Sequence, residues 1–261
     1  MRNLRLLISY DGTDFFGWQR QPDRPTIQGR IENALQKILG APVDVMASGR
    51  TDAGVHASGQ VANFRTDNPI PCSNLRKALN NALPPAVRVL DAREAPEDFH
   101  ARFAAHAKVY RYRILQTETC SPFLARFVHH LPRPLDLPRM EQAARLIVGR
   151  HDFTSFAAQD GGEPPQSKES KIRSVYSSRF FLRPRASLMV YEIRGDGFLR
   201  HMVRNIIGTL IEVGEGRRAP ADIRRLLAAR YRPAAGSTAP ACGLCLVKVE
   251  YDGRHKYSAG P

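Results

Sequence analysis

With 261 residues, 43% hydrophobic and 25% charged, the chain is long enough for one large domain or two smaller ones around a sizeable core. No apolar run approaches the length of a membrane-spanning helix, which excludes a helical membrane protein. The formal net charge of +14, carried by 32 Arg and 7 Lys, points to a polyanionic partner, nucleic acid ahead of a membrane surface.

Met1-Arg2-Asn3-Leu4 runs directly into a strand pattern with no signal-peptide layout, so the expected location is the cytoplasm. Leu4, Leu6, Ile8 and Tyr10 alternate as in a strand. Thr26 is placed to cap a helix that shows Ile27, Ile31, Leu35 and Ile38 on one face and stops at Gly40. Residues 43–46 and 60–64 read as strands. Ser73 reads as the cap of a helix through Leu83, ended by Pro84-Pro85, and residues 87–90 as a strand. The order of this half is β-α-β-β-α-β.

The second half gives the same order without obvious sequence similarity. Residues 108–115 form a strand with Tyr110, Tyr112 and Ile114 on one face. Asp136 opens a helix bearing Met140, Ala143, Ala144, Ile147 and Val148, stopped by Gly149. Residues 172–182 and 187–193 make a hairpin around Arg183-Pro184-Arg185. A helix over 198–213, a short helix over 221–229 and a strand over 244–250 complete the pattern. The predicted fold is α+β: two ferredoxin-like, RRM-like halves, 1–105 and 106–252, forming a largely antiparallel sheet, with 253–261 a flexible tail. Residues 159–171, with Gly161-Gly162 and Pro164-Pro165, read as a mobile loop. Of Cys72, Cys120, Cys242 and Cys245, the last two are expected to be reduced core residues. Only the last two have metal-like spacing, and positions three apart on a strand face opposite ways, so no metal is expected.

Residues 47–61, Ala-Ser-Gly-Arg-Thr-Asp-Ala-Gly-Val-His-Ala-Ser-Gly-Gln-Val, are the most informative stretch of the chain. Three glycines surround Arg50 and Asp52, and apolar runs flank both ends. Glycine lets the backbone turn tightly and lets another molecule approach closely. Asp52 is either presented for chemistry at such a turn or is an Asx-turn capping its own backbone. His56 reads as a hydrogen-bonded loop residue.

Gly49-Arg50-Thr51-Asp52-Ala53-Gly54-Val55-His56-Ala57, followed by Gly59-Gln60-Val61, resembles the signature of the tRNA pseudouridine synthase A family. Further segments resemble the family's motifs in the same order: Tyr10-Asp11-Gly12-Thr13 with Phe16-Gly17-Trp18-Gln19, Phe99 to Phe103 with Tyr110-Arg111-Tyr112, His201 to Ile206 with Gly208, and Ala239-Pro240-Ala241 with Gly243-Leu244 and Leu246. The resemblance spans roughly residues 4 to 252. It implies two halves around a central cleft, and a homodimer that isomerises uridine to pseudouridine in the anticodon stem-loop of tRNA, around tRNA positions 38 to 40.

The resemblance also implies residue roles. Asp52 is the essential catalytic carboxylate, Arg204 its ion-pair partner and Tyr110 the ring against the target base. Arg50 supports the nucleotide once it is extracted from its stack. Phe99, His100, Ala101, Arg102 and Phe103 align with RNA-contacting segments, and Gln166, Ser167, Lys168, Glu169 and Ser170 align more loosely. Breaking the N1–C1′ bond and rejoining the base through C5 involves no redox change and no phosphate transfer. The chain has no Walker loop and no metal constellation, so no cofactor is expected. A carboxylate serves this reaction as nucleophile or as a base on the sugar, and the residues do not choose between them. Local pattern alone leaves other readings open. Arg204 lies off the apolar stripe of Phe198, Met202, Ile206 and Leu210, as a solvated helix arginine would, and Tyr112 shares a face with Tyr110. At the level of the whole chain the alternatives are a non-catalytic RNA-binding protein with two RRM-like halves and a metal-dependent nuclease using Asp11, Asp14 and Asp52.

Overall fold

The computed structural model describes residues 1–158, 170–183 and 187–252. In chain order the elements are β1 (Arg2–Tyr10), α1 (Ile27–Leu39), β2 (Met46–Ala47), β3 (His56–Thr66), α2 (Cys72–Ala82), β4 (Val87–Ala95), β5 (Ala105–Leu115), α3 (Pro122–Ala125), β6 (His129–His130), α4 (Leu137–Arg145), β7 (Gly149–Asp152), β8 (Ile172–Arg183), β9 (Leu188–Gly195), α5 (Met202–Gly214), α6 (Asp222–Ala229) and β10 (Leu244–Tyr251). The fold is α+β with largely antiparallel strand pairing. Packing divides it into two compact units, one of Met1–Lys108 with the chain from Cys245 onward, the other of Val109–Leu244. The element order alone assigns β10 to residues 106–252, whereas here it belongs with the first unit.

The first unit has the predicted order β-α-β-β-α-β. Its strands lie β4-β1-β3-β10, with β2 on β3. β1 pairs antiparallel with β3 in the register Leu4↔Phe64 and Leu6↔Ala62, and with β4 on its other edge. β10 adds in parallel, Cys245↔His56 and Leu246↔Ala57. Leu4, Leu6 and Ile8 of β1 are fully buried, as are Ile27, Ile31 and Leu35 of α1 and Leu75 and Leu79 of α2. This is the apolar content that strand alternation and helix spacing placed on one face. The ends of α1 follow the sequence: Thr26 Oγ1 accepts the Gly29 N–H, and Gly40 closes the helix at φ 80°. Ser73 does not cap α2. The helix begins one residue earlier, after Pro71. Of the strand expected at 43–46 only Met46 is in β2, and residues 43–45 are not in a strand.

In the second unit β9 pairs with β8 and β8 with β7, all antiparallel, and β5 lies beside β9. Asp136 caps α4 through Oδ1, which accepts the Arg139 N–H at 3.1 Å. The helix ends at Arg145, before the predicted stop. Gly149, at φ 124°, opens β7, a strand that four residues with no apolar alternation did not announce. Residues 198–201 stay outside α5, and His201 precedes it in the left-handed region at φ 61°. The predicted 159–171 loop falls outside the described residues except for 170 and 171. The tip of the 183–185 hairpin and the 253–261 tail also fall outside them. All four cysteines are half-buried rather than in the core, and none is in a disulfide.

Candidate active site

The Asp52 loop is clamped from both sides by the strand and loop that open the chain. Tyr10 and Thr51 share a hydrogen bond between hydroxyls at 2.8 Å, in a buried position. The Trp18 N–H donates to the Thr51 carbonyl at 3.0 Å, and the Gly54 N–H donates to Phe15 O at 3.2 Å. Val55 N–H donates back to Asp52 O at 3.1 Å, closing a tight turn with Gly54 at φ 76°. Two glycines of the opening motif exist for this contact. A Cβ on Gly12 would lie 2.0 Å from the Val55 carbonyl oxygen, and one on Gly17 would lie 2.6 Å from that of Thr51. Tyr10 and Trp18 are both buried under the loop. Burial holds the Tyr10 phenol well above its ordinary pKa, although hydrogen bonds from Thr51 and Gln60 oppose this. It is therefore a neutral prop and not a base.

Residues of β3 fix both ends of the loop. Ser48 Oγ donates to Gln60 Oε1 at 2.7 Å, and Gln60 Nε2 donates to Gly49 O at 2.8 Å. His56 Nδ1 accepts the Gly12 N–H at 3.1 Å, the structural role its position suggested. Asp11 is tied into the same corner. Its Oδ1 accepts the Thr13 N–H and hydroxyl at 3.0 and 2.6 Å and lies 3.2 Å from His56 Nδ1. Between these anchors Asp52 is half-buried and Arg50 exposed. Lys108, which sequence reasoning passed over, lies against the same loop: a Cβ on Gly49 would meet its Nζ at 3.1 Å. Its place two residues before Tyr110 on β5 was the available signal.

The Phe99–Phe103 segment divides in two. Phe99 and Ala101 are buried. Phe99 O accepts from Asn3 Nδ2 at 2.8 Å, the Ala101 N–H donates to Asn63 Oδ1 at 2.9 Å, and Tyr251 donates to Ala101 O at 2.8 Å. The Arg5 guanidinium carbon lies 5.3 Å from the centre of the Phe99 ring and 5.2 Å from that of Tyr251. These contacts hold the segment and leave Arg102 and Phe103 exposed, with the Phe103 ring 4.4 Å from that of His100.

In the second unit Tyr110 and Tyr112 are both buried but differ in use. The Tyr112 hydroxyl donates to Pro240 O at 2.9 Å, and its ring lies so close to Gly243 that a Cβ there would fall 2.6 Å away. Burial raises the Tyr112 phenol far above its ordinary pKa, with a smaller push from the Cys242 thiol. Tyr112 is a core residue. Tyr110 stands edge-on to Phe198 at 5.3 Å.

Arg204 is the one residue of α5 that is not buried, the other twelve of its thirteen being so. It is positioned and not loosely solvated: Nε donates to Ala239 O at 2.8 Å, and Arg204 O accepts the Ala239 N–H at 3.1 Å. The segment running to Ala239 is strapped along α5. Asn205 Oδ1 accepts from Thr238 Oγ1 at 2.6 Å and from Arg232 Nη2 at 3.0 Å. Gly236 N–H donates to Thr209 Oγ1 at 3.0 Å, and Gly208 admits the Ser237 carbonyl where a Cβ would sit 1.8 Å away. Of the expected site residues 166–170, 166–169 lie outside the described residues and Ser170 is exposed. Among the described residues no three His, Cys, Asp or Glu side chains form a metal-holding group, and Asp11, one of the three carboxylates the nuclease reading needs, is engaged by Thr13.

A carboxylate presented on a clamped glycine turn, in a basic α+β chain, has the layout of an enzyme acting on nucleic acid. A family model described as tRNA pseudouridine synthase matches residues 6–104 and 143–252. Among curated relatives, tRNA pseudouridine synthase A of Solibacter usitatus is 51% identical over 96% of this chain and 100% of its own length. The proteins of that name from Syntrophotalea carbinolica and Brevibacillus brevis are 46% and 45% identical, each over 96% of this chain and over 97% and 100% of their own lengths. The chain belongs to the tRNA pseudouridine synthase family.

Proposed function

We propose that this protein isomerises uridine to pseudouridine in the anticodon stem-loop of tRNA, around tRNA positions 38 to 40, with Asp52 as its catalytic carboxylate. Family membership makes it a tRNA pseudouridine synthase, an isomerase. The anticodon site, the residue roles and the homodimeric, cytoplasmic state are our reading. The observation that carries the assignment of Asp52 is the clamp: its neighbours Thr51, Gly54 and Val55 are each bonded, so the loop backbone is set before substrate arrives.

The reaction breaks the N1–C1′ bond, turns the base and forms the C5–C1′ bond, while C5 gives up its proton and N1 gains one, so no atom is gained or lost overall. Asp52 acts on the sugar, as nucleophile at C1′ or as base, and both routes require its anion. Arg204, whose guanidinium Nε donates to Ala239 O, is the ion-pair partner that the family resemblance gives to Asp52. Tyr110 offers a ring to stack on uracil and a hydroxyl to relay the C5 proton, a role that Tyr112 has given to Pro240. Arg50, exposed beside Asp52, braces the flipped nucleotide. His100, Arg102 and Phe103 present the outer face of their segment to RNA.

The test is Asp52→Asn, which keeps size and removes charge. Pseudouridine formation in unmodified tRNA falls to near zero while tRNA binding is kept. Wild-type turnover by the folded variant would remove Asp52 from the active site. A homodimer is checked by light scattering with and without tRNA.

A further inference from the structure

We propose that the groove formed by the end of α4, β7 and α6 is a docking site for phosphates of the tRNA backbone. The inference rests on the tRNA substrate proposed above. The groove encloses about 800 Å³, and Arg145, Arg150, Arg224 and Arg230 line it, all four exposed. Asp152 is the one carboxylate among its described lining residues. That carboxylate is already engaged: Oδ1 accepts the Thr154 N–H and hydroxyl at 2.9 and 2.6 Å, and Oδ2 lies 3.2 Å from Arg230 Nε.

One carboxylate among four guanidinium groups leaves the groove strongly positive. Like charges gathered in one concavity repel, and a bound polyanion relieves that repulsion. Guanidinium forks match phosphate oxygens bidentately and are weakly hydrated, so they lose little on contact. A single small anion engages only a few donors, whereas these arginines come from three elements along the groove, as a phosphodiester chain requires. Val148, 40% exposed on the groove wall, offers an apolar surface to ribose.

The test compares two triple variants of the full chain. Arg145→Gln, Arg150→Gln and Arg224→Gln together empty the groove of three charges and leave the Arg230–Asp152 pair in place. Arg30→Gln, Lys37→Gln and Lys77→Gln remove the same charge from the exposed faces of α1 and α2. Binding of unmodified tRNA is measured against salt. For the groove variant the slope of log K on log salt shrinks by about 2 to 3, and affinity at physiological salt drops roughly ten- to a hundred-fold. KM rises with it and kcat stays. The Arg→Lys triple at the groove positions keeps most of the slope. If the two Gln variants lose affinity and slope alike, or if the groove variant binds as wild type, the groove is not a docking site. Absence of pseudouridine from the wild-type reaction would instead sink the proposed function.

Discussion

Gly17→Ala tests whether the clamp on the Asp52 loop matters to catalysis. Gly17 sits at φ 85°, and an added Cβ would stand 2.6 Å from Thr51 O, with Ala53 N and Asp52 C both at 3.1 Å. Two costs follow. An alanine in the left-handed region loses ~1–2 kcal/mol. Ordinary contact begins at 3.4 Å, so the two backbones must also separate by about 0.8 Å. That shift strains the Trp18 N–H···O Thr51 bond and carries Asp52 with it. A displacement near 1 Å at a reacting group costs on the order of 100-fold in rate. We expect kcat to fall roughly 30- to 100-fold and stability to fall by about 2–4 kcal/mol. Gly40→Ala is the matched control. It sits at φ 80° with nothing within 4 Å of its Cβ, so it should cost only the ~1–2 kcal/mol dihedral term and leave kcat unchanged. Single-turnover pseudouridine formation with enzyme in excess and denaturant unfolding curves read both quantities. A folded Gly17→Ala protein with kcat within about threefold of wild type would refute the link from backbone position to rate.

Arg50→Ala should lower turnover far more than tRNA affinity, because flipping follows docking and other arginines supply docking charge. Equal losses in the two measurements would make Arg50 a plain phosphate contact. Tyr110→Phe should impair catalysis with little effect on folding. Tyr112→Phe should leave catalysis per folded molecule intact and cost ~1–3 kcal/mol for the orphaned Pro240 carbonyl, and a reversed pattern would exchange their roles. Burial raises the pKa of Glu192, but hydrogen bonds and charge from Arg179 and Arg111 more than offset this and hold it below the usual carboxylate range. Its contribution to stability is therefore present at neutral pH and is lost as pH falls below the ordinary glutamate value through the lowered one. Unfolding curves between pH 7 and 3 should show a smaller acid loss in Glu192→Gln, and an unchanged loss would place the acid sensitivity elsewhere.

Local signals served where local physics decides. The alternation of Leu4, Leu6 and Ile8, the Thr26 cap and the Gly40 stop each appear in the structure because each depends on residues a few positions apart. Ser73 misled for an instructive reason. Pro71 already fixes a φ suited to helix entry, so the helix starts before the serine can cap it. β7 was invisible because Gly-Arg-His-Asp has no apolar alternation, and its pairing with β8 alone makes it a strand. The placement of β10 beside β3 is likewise non-local, joining residues 245 and 56. At the site, glycine spacing marked the loop. The reason for Gly12 and Gly17 emerged only when both were found against the backbone of residues 51–55, some forty positions away.

Arg204 shows how far a periodic pattern can place a helix residue, and where it stops. The stripe of Met202, Ile206 and Leu210 implied a helix half in water, with Arg204 on the wet side. The helix is instead buried all round, because the 235–239 strap covers the face that Asn205, Gly208, Thr209 and Glu212 present. Polar Asn205 and Thr209 are the groups that bond the strap. A buried polar side chain is tolerated only with partners, so each bond that hides Asn205 also fixes the chain next to Ala239. Ala239 then fixes the Arg204 guanidinium through its carbonyl. The arginine is therefore oriented by a residue thirty-five positions away, which no helical period could announce.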